Sequence, residues 1–239
     1  MSKQMLLYET VVPITVDRHG KWSMEKGKDF SYCRTINACP LMVSEFRAAA
    51  ATLPIVFSNS ESGSVPAVVL GVEPEKSSMV ADDGSWRGRY IPAFLRRYPF
   101  VFATNEGGEQ FTLCLDEKFD GLDESGVRGD RLFGDDGQPT DAMNTSLEFA
   151  KNFEVENRRT QAFCKLLDDN DLLDSMNAQI ALPDGTKRAL TGFQTISRER
   201  LKALSAETVK SMFDSDALEL IYLHLSSLGN MENIVPEQG

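Results

Sequence analysis

From Asp141 to Asp168 the chain repeats one spacing. Phe149, Phe153, Thr160, Phe163 and Leu167 fall three or four residues apart once Glu156 is counted as the missing rung, the period of a helix with one buried stripe. At 1.5 Å per residue such a helix spans about 40 Å, enough to cross a whole sheet. The remaining elements have to be arranged around it.

The preceding sequence is of the opposite kind. From Leu6 to Leu115 short apolar runs are punctuated by Gly, Pro, Asp and Asn, the pattern of a mostly β region with short connections. The spacing predicts strands at Leu6–Pro13, Pro54–Phe57, Ala67–Gly71, Phe100–Ala103 and Phe111–Leu115, the last two joined as a hairpin through the turn-rich loop Thr104–Glu109. Two short helices are expected between them, Val43–Thr52 with Ser44 as N-cap and Pro92–Tyr98 with Pro in the first turn. Residues 116–141 carry nine Asp/Glu against three Lys/Arg and read as an acidic connector too polar for a core.

Beyond the long helix, Pro183-Asp184-Gly185 separates Met176–Leu182 from Thr186–Gly192 and signals a hairpin. Ser197, Ser205 and Ser215 stand where N-caps belong, and Gly229 follows the last apolar run, Asp216–Leu228, whose stripe is Leu218, Ile221, Leu225 and Leu228. The expected fold is α+β: an N-terminal mixed, largely antiparallel sheet with interleaved short helices, one long helix, a late hairpin and a helical C-terminal cap. One domain is expected over residues 1–239, sheet-rich over residues 1–115, followed by the connector 116–141 and then by the helix, hairpin and cap over residues 142–239.

The balance of 25 Lys+Arg against 36 Asp+Glu gives a formal charge of −11, which disfavours general binding to nucleic acid or anionic membranes. The start, Met1–Thr10, is interrupted by Glu9 and lacks a secretory pattern, and no apolar run reaches the length of a membrane span. The expectation is a cytoplasmic protein without membrane insertion. Cys33, Cys39, Cys114 and Cys164 show no C-x-x-C pair and read as buried thiols.

The search for chemistry is restricted by histidine, of which the chain has two, His19 and His224. A three-histidine metal site is impossible; His19 reads as a turn residue and His224 as a core or core-edge residue of the last helix. There is no Gly-x-Ser-x-Gly elbow, phosphate loop or dinucleotide fingerprint. The nearest calcium-loop candidate, beginning at Asp116, puts Lys118 at its third position and Val127 at its twelfth, where a bidentate acid belongs. No metal or cofactor is expected. Asp116 and Glu117, at a strand end, are the carboxylate candidates for an uncommon enzyme, although neighbours in a strand point to opposite faces.

The most unusual composition is Trp86–Phe102, with four Arg, no acid and six aromatics. Guanidinium planes stack on rings and fork onto carboxylates, so Arg87, Arg89, Tyr90, Arg96, Arg97 and Tyr98 form a candidate contact for a protein partner or a small anionic or peptide ligand. The competing reading pairs those arginines with the acidic excess and puts the rings in the core.

Arg89-Tyr-Ile-Pro-Ala-Phe-Leu-Arg-Arg-Tyr-Pro-Phe-Val-Phe102, followed by Phe111-Thr-Leu-Cys-Leu-Asp-Glu117, resembles the signature of the bacterial SapC family. Further blocks in family order are Tyr8-Glu9, Val12-Pro13, His19-Gly20, Leu53–Phe57, Arg131–Phe133, Arg159–Cys164, Leu190–Phe193 and Glu219–Leu228. The resemblance implies no catalytic residues. It implies a loose link to S-layer biology, and to companions of TonB-dependent receptors and flavin-dependent halogenases, hence a non-catalytic accessory or binding protein; a surface-array component is the alternative beside the enzyme. The peptide-transport permease that shares the name is unrelated and needs membrane spans this chain lacks.

Overall fold

The structure, a computed structural model, describes residues 7–235 except 26, 28, 61–62, 105–110 and 183–184. The fold is α+β. In chain order the strands are β1 Val11–Pro13, β2 Ser23–Met24, β3 Ala38–Pro40, β4 Ile55–Ser60, β5 Gly63–Val69, β6 Phe100–Thr104, β7 Phe111–Asp116, β8 Leu122–Asp123, β9 Asp130–Arg131, β10 Leu173–Ala181 and β11 Lys187–Ile196. The α-helices are α1 Val16–His19, α2 Phe46–Ala49, α3 Ala93–Arg96, α4 Asp141–Asp169, α5 Arg198–Ala203, α6 Ala206–Asp214 and α7 Ala217–Ser227. The chain packs as two compact units, residues 1–29 with 96–154 and residues 30–95 with 155–239, and α4 contributes its first half to one and its second half to the other.

In the first unit β7 lies between β1 and β6, both antiparallel to it, so Leu115 faces Val12 on one side and Phe100 on the other. The β6–β7 pairing is the expected hairpin; most of its loop lies outside the described residues. A second small sheet has β2 between β8 and β9. Both strands flanking β2 come from the stretch expected to be a polar connector. That expectation fails because a few apolar residues suffice: Leu132 and Phe133 join Met24, Phe100, Leu115 and Met143 in one buried cluster. Each such side chain contributes about 1.5–3 kcal/mol on burial, while the surrounding acids face water. Gly129, at φ +80°, lets this stretch approach β2, because a Cβ there would sit 2.4 Å from the Met24 carbonyl oxygen.

The second unit is built on a five-stranded sheet in the order β10-β11-β4-β5-β3. The late hairpin runs from Leu173 opposite Ile196 to Ala181 opposite Lys187, with a bulge between Met176 and Ala178. Gly185 in its turn has φ +82°; Pro183 and Asp184 lie outside the described residues. Helix α7 is fastened to the sheet by side chains: the Ile55 N–H donates to Ser227 Oγ at 2.9 Å and the Ile196 N–H to His224 Nε2 at 3.1 Å. His224 is fully buried, as a core residue should be, and burial pushes its pKa down to about 4 against a smaller opposing effect of the Ile55 backbone. Phe163 of α4 packs against Phe46 and Phe57. Thr160, a polar rung in the apolar stripe, accepts the Val43 N–H and donates to the Glu156 carbonyl, so its hydroxyl is satisfied inside the core.

The helix ends differ from expectation in three places. Ser44 does not cap; Glu45 reaches back to accept the Met42 N–H at 2.9 Å as a 3-10 turn leads into α2. Ser197 and Ser205 do cap α5 and α6, but Ser215 terminates α6, its hydroxyl donating to the Ser211 carbonyl, and Asp216 at φ 60° turns the chain into α7. Gly229 lies inside a 3-10 segment, Leu228–Ile234, because Asn230 and Asn233 donate to the Ala50 and Thr52 carbonyls and hold that turn down. All four cysteines are buried thiols. No helix among the described residues is long and apolar enough to cross a membrane.

Candidate functional site

The Arg/aromatic segment is divided between the two units. Arg87, Arg89 and Tyr90 belong to the second, where the loop that carries them is tightly held. Trp86 bridges Val80, the Arg87 N–H donates to the Met79 carbonyl at 2.8 Å, and Trp86 Nε1 donates to the Tyr90 carbonyl at 3.0 Å. The Trp86 ring packs 5.7 Å from that of Phe30. Gly88 lies so close to the indole that a Cβ would be 2.8 Å from both Trp86 Nε1 and Met79 Cε.

Glu45 anchors the far end of this loop. It is 5% exposed and accepts the Tyr90 hydroxyl at 2.5 Å and the Ala93 N–H at 2.7 Å. With the Met42 N–H its two oxygens receive three donors, which is what a buried carboxylate requires. Burial and the neighbouring Glu45 together push the Cys39 thiol far above its ordinary range, so it stays protonated. Arg87 and Arg89 are exposed on either side of Gly88 and make no ion pair among the described residues. Other arginines are spent within the fold, Arg47 on Glu219, Arg131 on Asp135 and Arg200 on Asp171 and Asp174.

In the first unit the same residue types are placed differently. Arg96 is exposed, with its guanidinium 5.2 Å from the Phe149 ring centre. Arg97 is 3% exposed and lies 4.3 Å over Phe153 and 6.0 Å from Tyr8. Burial lowers its pKa, while Tyr8 and Glu154 favour its charge. Tyr98 is buried edge-on between Tyr8 and Phe119 and donates to Asp116 Oδ2 at 3.3 Å. Burial raises both phenols, Tyr8 to about 12.

Asp116 and Glu117 are occupied by structure. Asp116 has no exposure and accepts the N–H groups of Glu9, Thr10 and Lys118 at 2.8, 2.9 and 3.1 Å in addition to Tyr98. It closes the turn after β7 and holds the approach to β1. Glu117 receives a two-pronged fork from Arg18 at 2.5 and 2.6 Å and lies 3.2 Å from His19 Nε2. Burial alone would raise the Glu117 carboxyl, but the Arg18 and His19 hydrogen bonds outweigh it and hold the group below its ordinary range. His19 is therefore no turn residue: it ends α1, fully buried against Trp22. Glu45, and the pairing of Glu117 with Arg18 and His19, are not marked in the sequence, because nothing in local spacing identifies a carboxylate whose donors come from distant elements.

Two grooves are lined within single units, one of about 480 Å³ along β5 and the second half of α4, and one of about 230 Å³ beside β2 and the start of α4. None of the eight residues singled out from the sequence lines either groove. Among the described residues no cluster of His, Cys, Asp or Glu has the makings of a metal site.

Comparison with curated proteins and with solved structures finds no match. The SapC family model matches residues 14–234, nearly the whole length, and the chain belongs to the SapC family.

Proposed function

We propose that the protein is a non-catalytic accessory protein that acts by contact, and that its contact surface is the Trp86–Tyr90 loop. One observation carries the reading. Arg87 and Arg89 are exposed and make no ion pair among the described residues, on a loop pinned by Glu45, Met79 and Trp86, in a chain of net charge −11. Two guanidinium groups flanking a fixed Gly88 fit carboxylates on an acidic partner segment, and a held loop loses little conformational freedom on binding. The occupied state of Asp116 and Glu117 favours this reading over the carboxylate enzyme. The cytoplasm is the proposed compartment, and a role beside surface-layer or receptor-linked uptake systems is what family membership suggests.

The test uses the full chain, an Asp/Glu-rich peptide as probe, and purification from the native cell under gentle conditions. The acidic peptide should bind, weaken with salt, and be lost in the Arg87→Ala/Arg89→Ala double variant at unchanged melting temperature. A stoichiometric partner recovered with the wild type should be absent from the same variant. Equal binding by both proteins removes the loop from the reading, and a co-purifying small molecule with no partner returns the enzyme to consideration.

A further inference from the structure

Within the second unit, strand β5 has one side only partly covered. Its neighbour β3 pairs with Ala67, Val68 and Val69, and the ladder ends where the Leu41 N–H donates to the Pro66 carbonyl at 3.0 Å. Alternate residues of a strand present their main chain to the same side, so the next outward group is Ser64. Pro66 has no N–H to offer. No strand among the described residues covers Ser64 on this side. Asp168 does so instead: its Oδ2 accepts the Ser64 N–H at 3.2 Å and its Oδ1 accepts the Ser64 hydroxyl at 2.6 Å.

This edge forms one wall of the groove of about 480 Å³, and the opposite wall is a face of α4 presenting Asn157, Gln161 and Lys165 at steps of four residues. The volume falls within the range of ligand sites, roughly 300–1,000 Å³. Its charge is uneven. Lys165 is paired with Asp169 at 2.7 Å, and Asp168, itself exposed, makes no ion pair among the described residues.

We propose that this groove is a strand-addition site for an extended segment carrying a basic side chain, with Asp168 as the resident stand-in for that segment. An incoming carbonyl replaces Asp168 on the Ser64 N–H, and the N–H of the same incoming residue donates to the Ser64 carbonyl. The released Asp168 carboxylate then pairs with the basic side chain. The Leu41 N–H already occupies the Pro66 carbonyl, so the incoming segment pairs with the described part of β5 at Ser64 alone. The long Ser64–Asp168 main-chain contact, 3.2 Å against a usual 2.9–3.0 Å, is the bond that yields. This site is separate from the Trp86–Tyr90 loop and takes the opposite charge, so either assignment stands if the other fails.

The experiment is a titration of the isotope-labelled full chain, followed by amide NMR, with a capped Thr-Val-Lys-Val-Thr peptide and its counterpart carrying Glu in place of Lys. A short, generic probe is sufficient because the recognition named is main chain and charge. The Lys peptide should shift the Ser64 and Val65 amides saturably and bind roughly threefold to fivefold more tightly than the Glu peptide, an exposed ion-pair preference. In Asp168→Asn that preference should vanish. Absence of a shift at Ser64 with millimolar Lys peptide, or equal binding of the two peptides to the wild type, overturns the proposal. Faster hydrogen exchange at Ser64 in Asp168→Ala without peptide binding overturns it too, leaving Asp168 as a plain edge cap. If the variants misfold, the wild-type pair of titrations decides alone.

Discussion

Trp86–Tyr90 and Arg97–Tyr98 are cut from one run of Arg and aromatic residues, yet they meet opposite fates. Arg97 lies beneath the surface over Phe153 and beside Tyr8, where ring faces replace its hydration. Arg87 and Arg89 remain in water on a loop whose aromatic rings are half-buried and hydrogen-bonded within the unit. Composition is the same in both, so composition did not decide. The surroundings did: β6 and β7 bring Tyr98 onto Asp116, whereas Glu45 and Met79 hold only the framework of the Trp86 loop. An Arg/aromatic run is thus neither a core motif nor a site as a whole, and each guanidinium has to be placed separately.

The sharpest way to break this contrast is to attack the interior half. Asp116→Ala removes the acceptor that three part-buried N–H groups and the Tyr98 hydroxyl share, and it should cost about 3 kcal/mol in denaturant unfolding. Arg97→Ala, which leaves Phe153 facing a void, should cost about 2 kcal/mol, while Arg89→Ala should stay within about 0.5 kcal/mol. If Arg89→Ala destabilised as much as Arg97→Ala, the loop would be a structural element and the contrast would collapse.

His224 measures in isolation what burial does to a charge. Its folded pKa of about 4 lies below the ordinary 6.5, so as pH falls the unfolded chain takes up this proton first. The contribution of the neutral imidazole is complete above pH 6.5 and is lost progressively between 6.5 and 4, amounting to about 3 kcal/mol over the window. Unfolding free energies of the wild type should fall more steeply across that range than those of His224→Gln, which removes the titration. Parallel curves would mean that water reaches the ring.

Periodicity carried much of the fold into view. The stripe from Phe149 to Leu167 predicts a helix that the structure extends by one residue to Asp169, and the Pro-Asp-Gly turn predicts the β10–β11 hairpin, because both signals are local and repeated. What was illegible depends on partners far along the chain. Leu132 and Phe133 look isolated among acids until β2 pairs on both sides. Ser215 resembles a cap, and only the tight α6–α7 turn through Asp216 shows otherwise. The candidate site follows the same division. Arg87 and Arg89 were visible by type, but Glu45, which holds their loop, receives Tyr90 from 45 residues away.

The smallest expected effect tests whether the exposed half is held in place or merely exposed. At Gly88 a Cβ would meet Met79 Cε and Trp86 Nε1, each at 2.8 Å. The methionine end can swing aside; the indole, bonded to the Tyr90 carbonyl, cannot do so without freeing the loop. Gly88→Ala should therefore cost about 1 kcal/mol of stability and alter the indole fluorescence, while Arg87 and Arg89 stay chemically intact. If a fixed geometry of the two guanidinium groups is what an acidic segment recognises, this variant should bind the Asp/Glu-rich probe several-fold more weakly despite an unchanged charge. Retention of full affinity would show that charge alone suffices, and the loop would then differ from any other exposed pair of arginines only in making no ion pair among the described residues.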